Sequence, residues 1–283
     1  MNPTSPLKPV VLITGASRGI GAAAAECFGR AGWRVAITAR TQTDNQTLDH
    51  QLRRPDGSLM AGSLASTAAR VQALGAEVFA QAMDLMQPDS LGAAVDATLA
   101  HYGRIDLLIN NAVYQDRETN SLVRELQSDA LERTLQGNVI APFMLVRRVL
   151  PVMLAQGAGL IINVCSGAGQ NDPPVAADQG GWGFAYGASK AALGRLAGCI
   201  NREHGHQGLR AFSVNPGLVT TEAVTATLGD DGVLAKRFGA MPPHTIAEAL
   251  LWLATDPGAA ELNKKPSLID LQKLVREQNL APA

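Results

Sequence analysis

Val10-Val11-Leu12-Ile13-Thr14 is an apolar run that breaks into Gly15, Gly19 and Gly21 and resumes as an alanine-rich helical stretch from Ala22. A strand, a glycine turn and a helix in that order make a cradle for a pyrophosphate. Glycines let the backbone turn sharply and approach phosphates without Cβ collisions. The helix that follows aims its unpaired N–H groups and the positive end of its dipole at the anion. The spacing is G-x-x-x-G-x-G, and no Lys followed by Ser or Thr closes it, which disfavours a nucleoside triphosphate loop. Taken alone, the same residues also suit an ordinary strand-to-helix turn.

A second strand, Trp33 to Arg40, follows Gly32 and ends in Ala39-Arg40. In a dinucleotide fold this strand end lies beside the adenosine ribose, where a carboxylate would accept from the 2′-hydroxyl. No carboxylate stands there. Ala39 cannot repel a 2′-phosphate, and Arg40 and Arg18 carry planar forks suited to binding one, so the expected cofactor is NADP(H). A third strand, Glu77 to Met83, ends in Asp84-Leu85, and a fourth, Ile105 to Ile109, ends in Asn110-Asn111-Ala112. Strands separated by helical stretches imply a parallel sheet with ligands along its carboxyl edge. There Asp84 suits an adenine amino group and the Asn110–Ala112 corner suits the adenine ribose, although Asp and Asn at strand ends are also ordinary turn formers.

Further along, Tyr186 and Lys190 stand four apart in a helical stretch of small residues, so the phenol and the ammonium share a face. A phenol alone is a poor base at neutral pH, and a neighbouring positive charge favours its ionised form. Ser166 follows another apolar strand, Leu160 to Cys165, at the same carboxyl edge, where its hydroxyl can hold a substrate oxygen for the phenol.

Together these segments resemble the classical short-chain dehydrogenase/reductase family: TGASRGIG at 14–21, NNA at 110–112, Asn138, Ser166, Tyr186 with Lys190, and Asn215-Pro216-Gly217 followed by Thr221. The resemblance covers residues 8 to 255 and implies a Rossmann-like, doubly wound parallel sheet in one α/β domain. It implies a cofactor site of Gly15, Ser17, Arg18, Gly19, Ile20, Gly21, Arg40, Asp84, Leu85, Asn111, Ala112, Tyr186, Lys190, Pro216, Gly217, Val219 and Thr221. It makes Tyr186 the general acid or base and Ser166 the oxyanion positioner. Lys190 would hold the nicotinamide ribose and favour the phenolate, and Asn138 would support a proton-relay water. The implied protein is a homodimer or homotetramer.

Three departures from the family pattern stand out. Val113 replaces the glycine expected after NNA. Nineteen residues separate Ser166 from Tyr186, and the extra segment, 170–182, is expected to wall the substrate entrance. The familiar Asp-Gly-Gly ending is absent. Two further insertions interrupt the pattern. Residues 41–66 read as a mobile loop near the adenosine end or a surface embellishment, with the next helix beginning near Ser66 and turning Val71 and Leu74 inward. Residues 222–243 read as a substrate lid by the resemblance, with Leu228, Leu234 and Phe238 as its large apolar groups, or as an ordered surface helix. In the tail, Ser267 to Asp270 suits either a last strand or the start of a helix running to Glu277.

With 283 residues, 46% of them hydrophobic, the chain can bury one large core, and no change in composition marks a second domain. A net charge of −1 gives no electrostatic reason to expect nucleic acid or an anionic membrane as a partner. No signal peptide or uninterrupted membrane-length apolar run is evident, which points to a cytoplasmic protein. Cys27, Cys165 and Cys199 are scattered, the five histidines show no metal spacing, and no metal is expected. The pocket, walled by Val113, Tyr114, Trp182 and Phe184, favours a small uncharged carbonyl or alcohol as substrate. Two rivals stand beside an NADP(H)-dependent alcohol dehydrogenase or ketone reductase. One is a catalytically silent NADP(H)-binding regulatory or interaction protein, which the presence of phenol, ammonium and hydroxyl argues against. The other is a reductase of a conjugated double bond, which goes with a wider Tyr to Lys spacing.

Overall fold

A computed structural model describes residues 8–48, 53–54, 56–116, 118–228, 239–263 and 268–280. Its strands are β1 (Val10–Thr14), β2 (Arg34–Ala39), β3 (Val78–Ala82), β4 (Leu107–Asn110), β5 (Gly159–Val164), β6 (Leu209–Asn215) and β7 (Ile269–Asp270). They form one sheet in the order β3-β2-β1-β4-β5-β6-β7, all pairs parallel. The order reverses between β1 and β4, and such a reversal opens a crevice at the strands' carboxyl ends where doubly wound folds bind ligands. The expected Rossmann-like sheet is the one observed.

The strands read as apolar runs because both faces are covered. Val11, Ile13, Val35, Ile37, Leu107 and Ile109 turn to one layer, and Val10, Leu12, Ala36, Leu108 and Ile161 to the other. The helices, in chain order, are α1 (Gly19–Arg30), α2 (Leu64–Ala73), α3 (Pro88–Tyr102), α4 (Ser128–Leu135), α5 (Ala141–Gln156), α6 (Phe184–His204), α7 (Glu222–Leu228), α8 (Pro243–Thr255), α9 (Ala259–Leu262) and α10 (Leu271–Glu277). The first layer holds α1, α2, α8 and α10, and the second holds α3, α5 and part of α6. Ala22 to Ala25 are buried, and their small side chains let α1 lie close to the sheet, with Phe28 edge-on to Trp33 at 5.1 Å.

Helices α4 and α5 run together through a π-helical turn at Gln136–Ile140. By length and composition alone, Ser128–Gln156 could cross a membrane, with a mean hydropathy of 1.5 over its most apolar window. In the fold, Ala141, Leu145, Val146, Val149 and Met153 bury that apolar face in the second layer. Ile140 and Phe143 of the same stretch stay 43% and 46% exposed, so the packing covers one side of it.

Helix α2 begins at Leu64, two residues before the expected start. Ser63 Oγ accepts from the Ser66 N–H at 3.0 Å and Ser66 Oγ accepts from the Ser63 N–H at 2.9 Å, a reciprocal cap. Val71 is buried as expected. Leu74 is not: the helix ends at Ala73, Gly75 turns the chain at φ +77°, and Leu74 is left 43% exposed. The two readings of the tail both hold in part. Ile269 pairs with Val214, and Asp270 then caps α10 by accepting from the Lys273 N–H at 2.9 Å. Leu234, Phe238, Ser267 and the side chain of Leu228 lie outside the described residues.

Candidate active site

The glycine turn is locked to the end of β4. Gly15 has φ +69°, and a Cβ there would lie 2.7 Å from Ala112 Cα. Only glycine fits such a corner. Thr14 Oγ1 accepts from the N–H groups of Asn111 and Ala112, at 3.0 Å each, and Asn111 Nδ2 donates to Thr14 O at 2.9 Å and Gly15 O at 3.2 Å. Asn111 therefore braces the cradle with its side chain. Gly21 acts in the same way from the helix side, since a Cβ there would meet Gly15 O at 2.4 Å. Helix α1 has no acidic residue in its first turn and no side-chain cap from Arg18. An anion-seeking helix end behind a glycine cradle fits a dinucleotide's pyrophosphate.

Around the adenosine end, Arg40, Thr41, Asp84 and Leu85 line the same cavity as the glycine turn. Asp84 Oδ1 accepts from the Met86 N–H at 2.9 Å, so one carboxylate oxygen shapes its own turn. Arg18 departs from the expected open fork. Its Nε donates to Ala61 O at 2.8 Å, and its Nη2 donates to Gly62 O at 2.9 Å and Met60 O at 3.4 Å. The carboxyl-terminal part of the insertion 41–66 thus packs over the glycine turn. Gly62 makes this approach with φ +103°, where a Cβ would lie 2.4 Å from Ser17 O. Burial, with Arg40 nearby, lowers the Arg18 guanidinium below its ordinary value against the attraction of Glu222.

Ser166 leaves β5 at its carboxyl end, and its Oγ accepts from the Ala168 N–H at 3.2 Å, which leaves the hydroxyl proton to donate. Lys190 is 4% exposed and donates from Nζ to Val164 O at 3.0 Å. Its ammonium lies 5.9 Å from the centre of the Tyr186 ring, one helical turn away on α6. Asn138 sits in the π-helical turn, 1% exposed. Its Oδ1 accepts from the Tyr114 N–H at 2.7 Å, and its Nδ2 donates to Tyr114 O at 3.1 Å and Ser189 Oγ at 3.3 Å. Ser189 Oγ donates in turn to Tyr186 O at 2.8 Å. A chain of hydrogen bonds therefore runs from the cavity wall at Tyr114 to the turn that carries Tyr186.

These groups open on one cavity of about 690 Å³. Gly15, Ser17, Arg18, Gly19, Ile20, Asn111 and Ala112 line one part of it, and Ser166, Tyr186, Lys190, Pro216, Gly217, Val219 and Thr221 line another. Of the residues assigned from sequence, Gly21 and Asn138 are not on its wall and act through the neighbours described above. Val113, Tyr114 and Trp182 also line it, as expected. Phe184 does not: at the start of α6 it is 56% exposed and turned away from the cavity. Two contributors have weaker sequence signals. Asn215 Oδ1 accepts from the N–H groups of Gly167 and Gly217 at 3.1 Å each, joining the Ser166 and Pro216 turns; an Asn ahead of Pro-Gly at a strand end is its signal. Glu222 Oε2 accepts from the Gly19 N–H at 3.0 Å, a contact across 203 positions that no local pattern announces.

The doubly wound sheet and the cavity at its carboxyl edge are those of a Rossmann-type dinucleotide-binding fold. The chain belongs to the short chain dehydrogenase family, whose sequence model matches residues 9–64 and 58–231. It is 33% identical over 246 residues to the fatty acyl-CoA reductase Rv0547c of Mycobacterium tuberculosis, covering 87% of this chain and 72% of that protein. It is 28% identical over 266 residues to a 3-oxoacyl-[acyl-carrier-protein] reductase of Synechocystis, covering 92% of this chain and 95% of that protein. It spans 57% of the length of an uncharacterized oxidoreductase of Mycobacterium bovis, to which it is 32% identical over 218 residues. The crystal structure of a metagenomic short-chain oxidoreductase in complex with NADP superposes with a TM-score of 0.66 at 32% identity, covering 89% of this chain and 93% of that one.

Proposed function

We propose that the protein is an NADP(H)-dependent alcohol dehydrogenase or ketone reductase acting on a small uncharged carbonyl or secondary alcohol. The observation that carries this reading is the meeting of Ser166, Tyr186 and Lys190 with the glycine turn on one cavity. The residues fit NADP(H): the glycine cradle and the first turn of α1 suit the pyrophosphate, and Arg40 with Ala39 at the end of β2 suits a 2′-phosphate. The cofactor supplies the hydride. Tyr186 gives its phenolic proton to the substrate oxygen in reduction and takes it back in oxidation. Ser166 donates a hydrogen bond to that oxygen and holds it for the phenol. Lys190 has donors left for the nicotinamide ribose after the bond to Val164 O. Asn138 fixes the Tyr114 backbone and, through Ser189, the turn of α6 beneath Tyr186.

The relative named as a 3-oxoacyl-[acyl-carrier-protein] reductase supports carbonyl reduction, and the solved relative in complex with NADP supports the phosphorylated cofactor. The same reading makes the protein cytoplasmic and a homodimer or homotetramer. A screen of NADPH consumption over ketones, diketones and quinones, and of NADP⁺ reduction over alcohols, tests it. Turnover of at least one ketone or alcohol is expected. Cofactor binding with no turnover across the panel would replace the enzyme reading with the binding-protein one.

A further inference from the structure

Glu222 opens α7, and its carboxylate reaches the start of α1. Its Oε2 accepts from the Gly19 N–H at 3.0 Å. The approach is tight: a Cβ on Gly19, where φ is +58°, would lie 3.1 Å from Thr221 Cγ2 and 3.7 Å from Glu222 Oε2. Because α1 brings no acidic residue in its own first turn and no side-chain cap, the negative group that meets its positive end comes from α7. Gly19, Thr221 and Glu222 line the cavity together with the cradle. A pyrophosphate seeks the same first-turn N–H groups, and a carboxylate already there repels it.

Resting on the reading that this cavity takes a nicotinamide dinucleotide, we propose that Glu222 sets cofactor affinity by competing with the pyrophosphate for the N-terminus of α1. The carboxylate satisfies Gly19 when the dinucleotide leaves and opposes it when it arrives. It thereby loosens binding and speeds release, and release rather than chemistry limits turnover in many enzymes.

Titration of wild type, Glu222→Ala and Glu222→Gln with NADPH and with NADH, followed by nucleotide fluorescence at fixed ionic strength, tests the proposal. Glu222→Ala should bind both nucleotides about two- to tenfold more tightly, the range expected for removing one charge from a helix terminus. Glu222→Gln keeps an acceptor for the Gly19 N–H but loses the charge, and should fall between. Without nucleotide, Glu222→Ala should melt at or slightly below the wild-type temperature, because α1 loses the partner of its first N–H. Unchanged or weaker binding in both variants overturns the proposal. Tightening in Glu222→Ala alone assigns the competition to the hydrogen bond and upholds it. The pyrophosphate is common to both dinucleotides, so a wild-type preference for NADH would overturn the NADP(H) reading and leave this inference standing. Failure of wild type to bind either would overturn both.

Discussion

Lys190 Nζ donates to the carbonyl of Val164 at 3.0 Å, tying the last residue of β5 to the helix that carries Tyr186. Ser166 lies two residues beyond Val164, and Tyr186 one helical turn before Lys190. One buried ammonium thus fixes the spacing of the hydroxyl and the phenol as well as supplying charge.

The two roles separate by mutation. Tyr186→Phe removes the transferable proton and keeps the ring, so turnover should fall by roughly 10²- to 10⁴-fold while NADPH affinity and unfolding free energy barely change. Lys190→Met should lower turnover as well and also destabilise the fold by about 1–3 kcal/mol, since the buried Val164 carbonyl loses its partner. Steady-state kinetics with urea unfolding reads both. Full turnover by Tyr186→Phe would move the proton donor elsewhere.

Cofactor choice should follow the end of β2. Ala39→Asp combined with Arg40→Ala places a carboxylate where a ribose hydroxyl can donate and a 2′-phosphate is repelled. The kcat/KM ratio of NADPH to NADH should then fall by at least tenfold, roughly 1.4 kcal/mol of discrimination. An unchanged ratio would place the selecting contact away from β2.

Much of this was legible in the sequence, for local reasons. The glycine turn, the Tyr186–Lys190 pair and the strand-end Ser166 are short-range patterns whose chemistry depends on a few adjacent residues, and all reach one cavity. The misplaced features are those decided by tertiary contact. Phe184 stands next to pocket residues in sequence, yet the first turn of α6 points it to solvent. Leu74 matches an inward helical spacing, but α2 stops one residue earlier. Arg18, read from the sequence as a phosphate ligand, lines the cavity, and nothing nearby shows that carbonyls some forty residues later accept from its Nε and Nη2. Glu222 is hidden for the same reason, because its partner, Gly19, lies at the opposite end of the chain.

Acid sensitivity should centre on Asp116. Burial raises its affinity for a proton. The hydrogen bonds it accepts from Tyr114 Oη, Thr119 Oγ1 and the N–H groups of Glu118 and Thr119 outweigh that and hold it below the ordinary carboxylate value. A depressed folded value stabilises the protein above the unfolded pKa of about 3.9, and the contribution is lost as pH falls through the folded value. Asp116→Asn should therefore be less stable than wild type at pH 6, with the gap closing as pH drops below about 4. Urea midpoints at pH 6, 4.5 and 3.5 measure it, and a gap that stays constant would remove Asp116 from the acid response.

The insertion 41–66 should depend on Arg18 for its position. The guanidinium meets three carbonyls in a row, Met60, Ala61 and Gly62, with a planar fork that a lysine's point charge cannot reproduce. Leu64 and Ala65 donate their N–H groups to Thr41 O and Gln42 O, so the insertion closes on itself at its base, while the segment 60–62 just before that base rests on Arg18. Arg18→Lys should leave the base intact and free the segment before it. Amide hydrogen exchange should then quicken over residues 58–62 and stay slow at Leu64 and Ala65. NADPH affinity should fall as well, since Arg40 and Thr41 line the cavity at the base of this insertion and Arg18 faces the same cavity. Exchange at residues 58–62 equal to wild type would show that Gly62 packing against Ser17, rather than the guanidinium, holds the segment down.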